Sequence, residues 1–140
     1  IPESIKPTFA DFDVFGDENA EKAIITYGRT FSACAFAYEK LVNSGESVKL
    51  IKLNRIIPVC EGAVEAAKNC KDVYFFEEGI RRGGAGEGFL FDLSKAGFSG
   101  KYHLRAIENG FVKQASVESL LHKYGFDEEG VLSFVASAED

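Results

Sequence analysis

Apolar residues fall in short runs separated by glycine, asparagine and charged positions. Ala23-Ile24-Ile25-Thr26-Tyr27, Val48-Lys49-Leu50-Ile51-Lys52-Leu53, Val73-Tyr74-Phe75-Phe76 and Lys101 to Ile107 have the length and the β-branched or aromatic content of strands. Phe9 to Phe15 alternates apolar and polar residues, as a half-buried edge strand does. Between the runs the spacing turns helical. Phe31, Cys34, Ala35, Tyr38, Leu41 and Val42 form one stripe, capped by Thr30 or Ser32 and stopped at Asn43-Ser44-Gly45. A second helix opens at Pro58 and carries Val59, Ala63, Val64, Ala66 and Ala67. A third runs from about Ala85 to Lys95 and stops at Gly97. In the tail, Ser116-Val117-Glu118-Ser119 opens a short helix, and Asp127 caps a last one with Val131, Leu132 and Val135. The order is β, then β-α-β-α-β-α-β, then α-α. Strands alternating with helices predict an α/β fold with a mostly parallel sheet covered on both faces.

Length and composition narrow the class. The 140 residues, 46% of them apolar, suit one domain around one core. Residues 1–8, with Pro2 and Pro7, read as a linker, and residues 9–140 as the domain. No apolar run approaches the roughly 18 residues of a membrane span, and Ile1-Pro2-Glu3-Ser4 opens no signal peptide. A net charge of -6 and a pI of about 5.0 argue against a nucleic-acid partner. Cys34, Cys60 and Cys70 are far apart and odd in number, which suits packing thiols in a reduced, cytoplasmic chain; no metal site is expected. The chain has no methionine, so it is expected to be a domain excised from a longer product.

Chemistry concentrates where the third apolar run ends. Val73 to Phe76 leads into Glu77-Glu78-Gly79, then Ile80-Arg81-Arg82-Gly83-Gly84-Ala85-Gly86 and a helix. This is the order of a buried strand, its carboxyl-end loop and a crossover helix, the edge at which α/β proteins take ligands. Backbone N–H groups of Gly83, Gly84 and Gly86 with Arg81 and Arg82 make a candidate anion site. Arg29, in the second strand-to-helix turn Tyr27-Gly28-Arg29-Thr30, joins it at the same edge. A turn that lets the helix pack close to the sheet explains the glycines equally. Neither the dinucleotide G-x-G-x-x-G pattern nor a P-loop is present. Adjacent Glu77 and Glu78 point to opposite faces of an extended chain, so they form no catalytic pair. His103, His122, Ser32 and Ser116 lack the partners of a nucleophile–base arrangement, and no catalytic residue is assigned.

These segments resemble the C-terminal domain of the transketolase family of thiamine-diphosphate enzymes over about residues 9 to 135. The resemblance rests on the strand ending in Tyr27-Gly28 with its small-residue helix, on Asn54-Arg55-Ile56-Ile57-Pro58, and on Glu77-Glu78-Gly79 followed by Gly83-Gly84-Ala85-Gly86. Within the family, Gly110-Phe111-Val112, Ser116 to Leu121 and Tyr124-Gly125-Phe126-Asp127 are most similar to the 1-deoxy-D-xylulose-5-phosphate synthase group. Val59-Cys60 departs from the Leu-Asp frequent there, and Gly79 from an asparagine. The resemblance implies a three-layer α/β/α sandwich whose five strands run in the order 1-3-2-4-5, the first antiparallel. It implies a support and homodimer-contact domain packed on the pyrimidine-binding domain of a parent chain. Thiamine diphosphate and magnesium would belong to that parent, which joins pyruvate to glyceraldehyde 3-phosphate, with no cofactor in this piece. Other readings kept open are the same domain of a transketolase or of a 2-oxo-acid dehydrogenase β subunit, and an independent small-anion or nucleotide-binding module.

Overall fold

Five strands and three helices are defined in a computed structural model, which describes residues 2–8, 10–55, 60–78, 84–107, 131, 132 and 135, the side chains of Arg29, Glu78, Ala106 and Ile107 excepted. Strands are β1 (Phe12–Gly16), β2 (Lys22–Thr26), β3 (Val48–Leu53), β4 (Asp72–Glu78) and β5 (Lys101–Ile107). Helices are α1 (Phe31–Asn43), α2 (Glu61–Ala67) and α3 (Ala85–Lys95). The sheet order is β1-β3-β2-β4-β5. β1 is antiparallel to β3, and every other pair is parallel. This is the α/β arrangement expected from the alternating pattern, with the strand order and antiparallel edge that the family resemblance implies.

The period of two in the strands sorts their side chains into two cores. Ile24, Leu50, Tyr74 and Phe76 face one way and pack with Phe31, Cys34, Ala35 and Ala37 of α1. Val131 and Val135, both in helical backbone, are buried on that same side. Ala23, Ile25, Ile51, Val73 and Phe75 face the other way, against Ala63, Val64 and Ala67 of α2 and Phe89 and Leu93 of α3. β4 is an interior strand, between β2 and β5, and Val73 to Phe76 are all fully buried. Each such side chain contributes about 1.5–3 kcal/mol by leaving water, which makes β4 the strongest anchor of the sheet. Residues 2–8 are not all exposed, because Ile5 is buried in the α1 core.

The Asn54-Arg55 step after β3 fixes the antiparallel edge. Asn54 donates through Nδ2 to Ala10 O (2.7 Å) and to Asp13 Oδ2 (3.0 Å), and Arg55 pairs with Asp11 at 3.2 Å. The short polar side chain thus holds the entry of β1 against the exit of β3.

β4 extends through Glu77 and Glu78, in keeping with the extended backbone expected of the two carboxylates. One local expectation needs correction. Thr30 occupies the cap position of α1 but does not cap it through its side chain. Its hydroxyl donates to Tyr27 O at 2.9 Å and shares a hydrogen bond with the Thr26 hydroxyl. The opening of the second helix at Pro58 and the helix at Ser116 lie outside the described residues, and α2 is defined from Glu61.

Candidate functional site

At the carboxyl edge of the sheet β2 and β4 end side by side, with Thr26 paired to Phe76. Gly28, at φ +64°, turns the chain out of β2 into a 3-10 turn, Gly28–Thr30, and then α1. The turn leaves Tyr27 beside β4. Glu77 follows Val73 and Phe75 in the alternation, so it points into the α2–α3 core, where it is fully buried.

A buried carboxylate requires donors. Glu77 Oε2 accepts from the Gly86 N–H at 3.0 Å and from the Tyr27 hydroxyl at 3.3 Å. Gly86 lies in the first turn of α3, where backbone N–H groups lack helical partners and the helix dipole favours negative charge. Burial pushes the Glu77 carboxyl above its ordinary range, and the Gly86 N–H, the Tyr27 hydroxyl and the Ala85 N–H pull it partly back. Its Oε1 is buried without a hydrogen bond among the described residues.

The approach is close because Gly86 has no side chain. A Cβ there would stand 2.4 Å from Leu104 Cδ1, 2.9 Å from Glu77 Oε1 and 3.2 Å from Phe75 Cδ1. Tyr102 closes the far side by donating its hydroxyl to Gly86 O at 2.6 Å. Burial, and then the Glu77 charge, push the Tyr102 phenol upward, so it stays a donor. Phe75 packs against Phe89 at 5.5 Å between ring centroids and against Tyr27 at 6.3 Å. The result is a bolt between strand end and helix start, made by one acid, two phenols and one glycine.

The candidate anion-site residues are placed only in part. Arg81, Arg82 and Gly83 lie outside the described residues, as does the side chain of Arg29. Gly84 stands just before α3 with φ -79° and ψ 173°, a conformation open to any residue. Gly86 directs its N–H to Glu77, so that donor already serves an internal anion. Glu77 and Tyr27 each precede a strand-to-helix turn, but their partnership across fifty residues leaves no spacing signal. The one available clue was a carboxylate set in phase with Val73 and Phe75.

His103 and the three thiols are held in packing. His103, on β5, places Nε2 3.0 Å from Asp72 Oδ1 and stacks on Tyr74 at 4.6 Å. His122 and Ser116 lie outside the described residues. All three cysteines are free and buried, and burial pushes the Cys34 thiol up to about 12. Among the described residues no group of three His, Cys, Asp or Glu stands close enough to hold a metal ion. No helix among them is long and apolar enough to cross a membrane.

Comparison with known proteins adds a family. The profile described as "Transketolase, C-terminal domain" matches residues 16–131. A 1-deoxy-D-xylulose-5-phosphate synthase of Bacteroides fragilis is 29% identical over 115 residues, covering 81% of this chain and 18% of that protein. Synthases of the same name from Bacillus mycoides and Shouchella clausii are 30% and 26% identical, covering 82% and 86% of this chain. The chain thus spans about a fifth of these relatives, 19% of each of the last two. A solved structure titled "Split gene transketolase, inactive beta4 tetramer" superposes with a TM-score of 0.77 at 19% identity, covering 99% of this chain and 45% of that one.

Proposed function

The chain belongs to the transketolase C-terminal domain family, and from that premise we propose that it is the dimer-contact and support domain of a thiamine-diphosphate-dependent 1-deoxy-D-xylulose-5-phosphate synthase. One observation carries this reading: the match takes up 81% of this chain and only 18% of the Bacteroides fragilis synthase, the proportion of one domain in a larger enzyme. The parent reaction, joining pyruvate to glyceraldehyde 3-phosphate with loss of carbon dioxide, then belongs to the whole enzyme. So do thiamine diphosphate and magnesium. The described residues do not suit that pair, because they offer no three-ligand cluster and the first turn of α3 is occupied by Glu77.

The bolted edge suits a support role. It fixes α3 on the sheet and leaves Leu90 and Phe91 of α3, with Phe36 and Val42 of α1, exposed. We assign these apolar side chains to contacts with a second copy and with the pyrimidine-binding domain, in a cytoplasmic homodimer. Two measurements test the reading. The reading frame upstream of Ile1, or a neighbouring one, should encode a pyrimidine-binding domain; a frame and surroundings without any thiamine-enzyme domain would overturn it. Calorimetry of this chain with thiamine diphosphate and magnesium should show no heat of binding, and a micromolar affinity would contradict the support role.

A further inference from the structure

We propose that the opposite, amino-terminal edge of the sheet binds a small anion carrying two phosphoryl groups. A cleft of about 700 Å³ opens there, a size within the usual range for small-molecule sites. It is lined by Lys22, Lys68, Lys71 and Lys101, four of the chain's eleven lysines, in a protein of net charge -6. The lysines come from different elements, so no single helix or turn accounts for them. Three neighbouring strands begin in register at the cleft, Lys22 beside Asp72 and Asp72 beside Lys101. The strand starts are tied together by backbone bonds, Lys71 N to Glu21 O at 2.7 Å and Lys101 N to Lys71 O at 2.8 Å.

Asp72, the one carboxylate lining the cleft, is engaged by His103 at 3.0 Å. Lys22, Lys68 and Lys71 pair with Glu46, Glu65 and Glu21 at 3.5, 2.7 and 3.2 Å. The Lys71–Glu21 pair is open to water at both ends, 74% and 56% exposed, whereas Lys22 and Lys68 are 13% and 31% exposed beside more open glutamates. An ion pair open to water is weak and yields to a ligand of higher charge density, which applies most directly to Lys71. Lys101 has no such pair among the described residues. A plainer role, offsetting a helix dipole, covers Lys68 just after α2. It does not cover Lys22, Lys71 and Lys101, which stand at strand starts. Lys22 and Lys101 begin strands two places apart, so their backbones are separated by roughly 10 Å, twice the strand spacing. Four ammonium groups reaching the cleft from several elements are matched in charge and extent more fully by two linked phosphoryl groups than by a single phosphate. Lysine suits this task as a mobile point charge on a flexible stem.

The test is a titration of the 140-residue chain with inorganic pyrophosphate, followed by phosphorus NMR and calorimetry at constant ionic strength. Saturable binding of one pyrophosphate is expected, at least about tenfold tighter than orthophosphate. Lys71→Ala with Lys101→Ala should weaken it by about tenfold or more, and Lys95→Ala, outside the cleft, should leave it unchanged. Circular dichroism checks that the variants are folded; if the double variant is not, Lys101→Gln alone should weaken binding by about threefold. Absence of saturation overturns the proposal, as does binding indifferent to the lysine variants. Binding lost instead in Arg81→Ala with Arg82→Ala would move the anion to the glycine-rich loop and equally overturn it.

Discussion

The two ends of the sheet handle charge in opposite ways. At the carboxyl end one acid, Glu77, is taken fully out of water and held by the Gly86 N–H and the Tyr27 hydroxyl. At the amino end, glutamates that stay largely in solvent pair with lysines around an open cleft, Lys71 exposed and Lys22 mostly covered. Carboxyl ends of parallel strands, with their helix N-termini, are the usual anion-binding side of α/β proteins. Here that side carries its own anion. The contrast shows that a single side chain in the right phase can take up one of the backbone donors that such an edge offers. It also predicts that changes at the carboxyl end act on stability, while changes at the amino end act on binding.

The sharpest way to break the comparison is to fill the space that lets α3 approach β4. Gly86→Val would push a side chain into Leu104, Phe75 and the carboxylate of Glu77, two of them already closer than 3.0 Å to a bare Cβ. Overpacking of this kind with a displaced buried acid should cost roughly 2–4 kcal/mol, read as a lower urea midpoint with an unchanged slope. A loss under about 0.5 kcal/mol would mean that the bolt is loose.

Next in size is the acid itself. Glu77→Ala leaves the Gly86 N–H without its acceptor and opens a void beside Phe75, and about 2–3 kcal/mol should be lost. Glu77→Gln keeps an acceptor of the same shape and removes the buried charge, so its stability should stay within about 1 kcal/mol of the parent. Equal losses in the two variants would show that charge, and not hydrogen bonding, is what the edge requires.

The same acid fixes a pH dependence. Its carboxyl is raised in the folded state, chiefly by burial, so the folded chain holds this proton more tightly than the unfolded one. The contribution is therefore fully present below the unfolded carboxylate range and is lost as pH rises through the folded value. Asp13 behaves oppositely. Burial works to raise it, but bonds from Thr8 and Asn54 and the nearby Lys52 charge hold it low, so its contribution is lost as pH falls through the folded value. In thermal melts, Glu77→Gln should flatten the decline on the alkaline side of the carboxylate range and leave the acid limb in place. An unchanged profile would assign the pH response elsewhere.

How much of this was legible in the sequence follows from the range of each interaction. The strands and the helix Ala85–Lys95 were readable because alternation and helical spacing are local, and the antiparallel edge followed from the family resemblance. Thr30 was misread because its hydroxyl has two options of similar strength, the helix N–H groups or the Tyr27 carbonyl, and local backbone geometry chooses the second. The extended backbone at Glu77 was readable, but its full burial was not, because a carboxylate after four apolar residues usually marks a strand's end. Only the donors brought by Tyr27, fifty residues away, and by the start of α3 make its burial tolerable. The amino-end cleft had no motif at all. Lys22, Lys71 and Lys101 are brought together by strand order, which a scan for spacing does not register.

The smallest effects separate the two ends most cleanly. Tyr27→Phe removes one long hydrogen bond to Glu77, 3.3 Å, and leaves the ring against Phe75; about 0.5–1 kcal/mol should be lost. Lys71→Ala removes a pair at 3.2 Å whose side chains are 74% and 56% exposed. Such a pair contributes little, and the change in stability should stay below about 0.5 kcal/mol. The informative quantity is the product of the two experiments. Pyrophosphate should raise the melting temperature of Tyr27→Phe as much as that of the parent, because ligand stabilisation depends on the cleft and adds to a distant loss. In Lys71→Ala the same concentration should raise it less, although the unliganded protein is as stable as before. The reverse pattern, a ligand response lost with Tyr27 and kept without Lys71, would mean that the ends had been assigned the wrong way round.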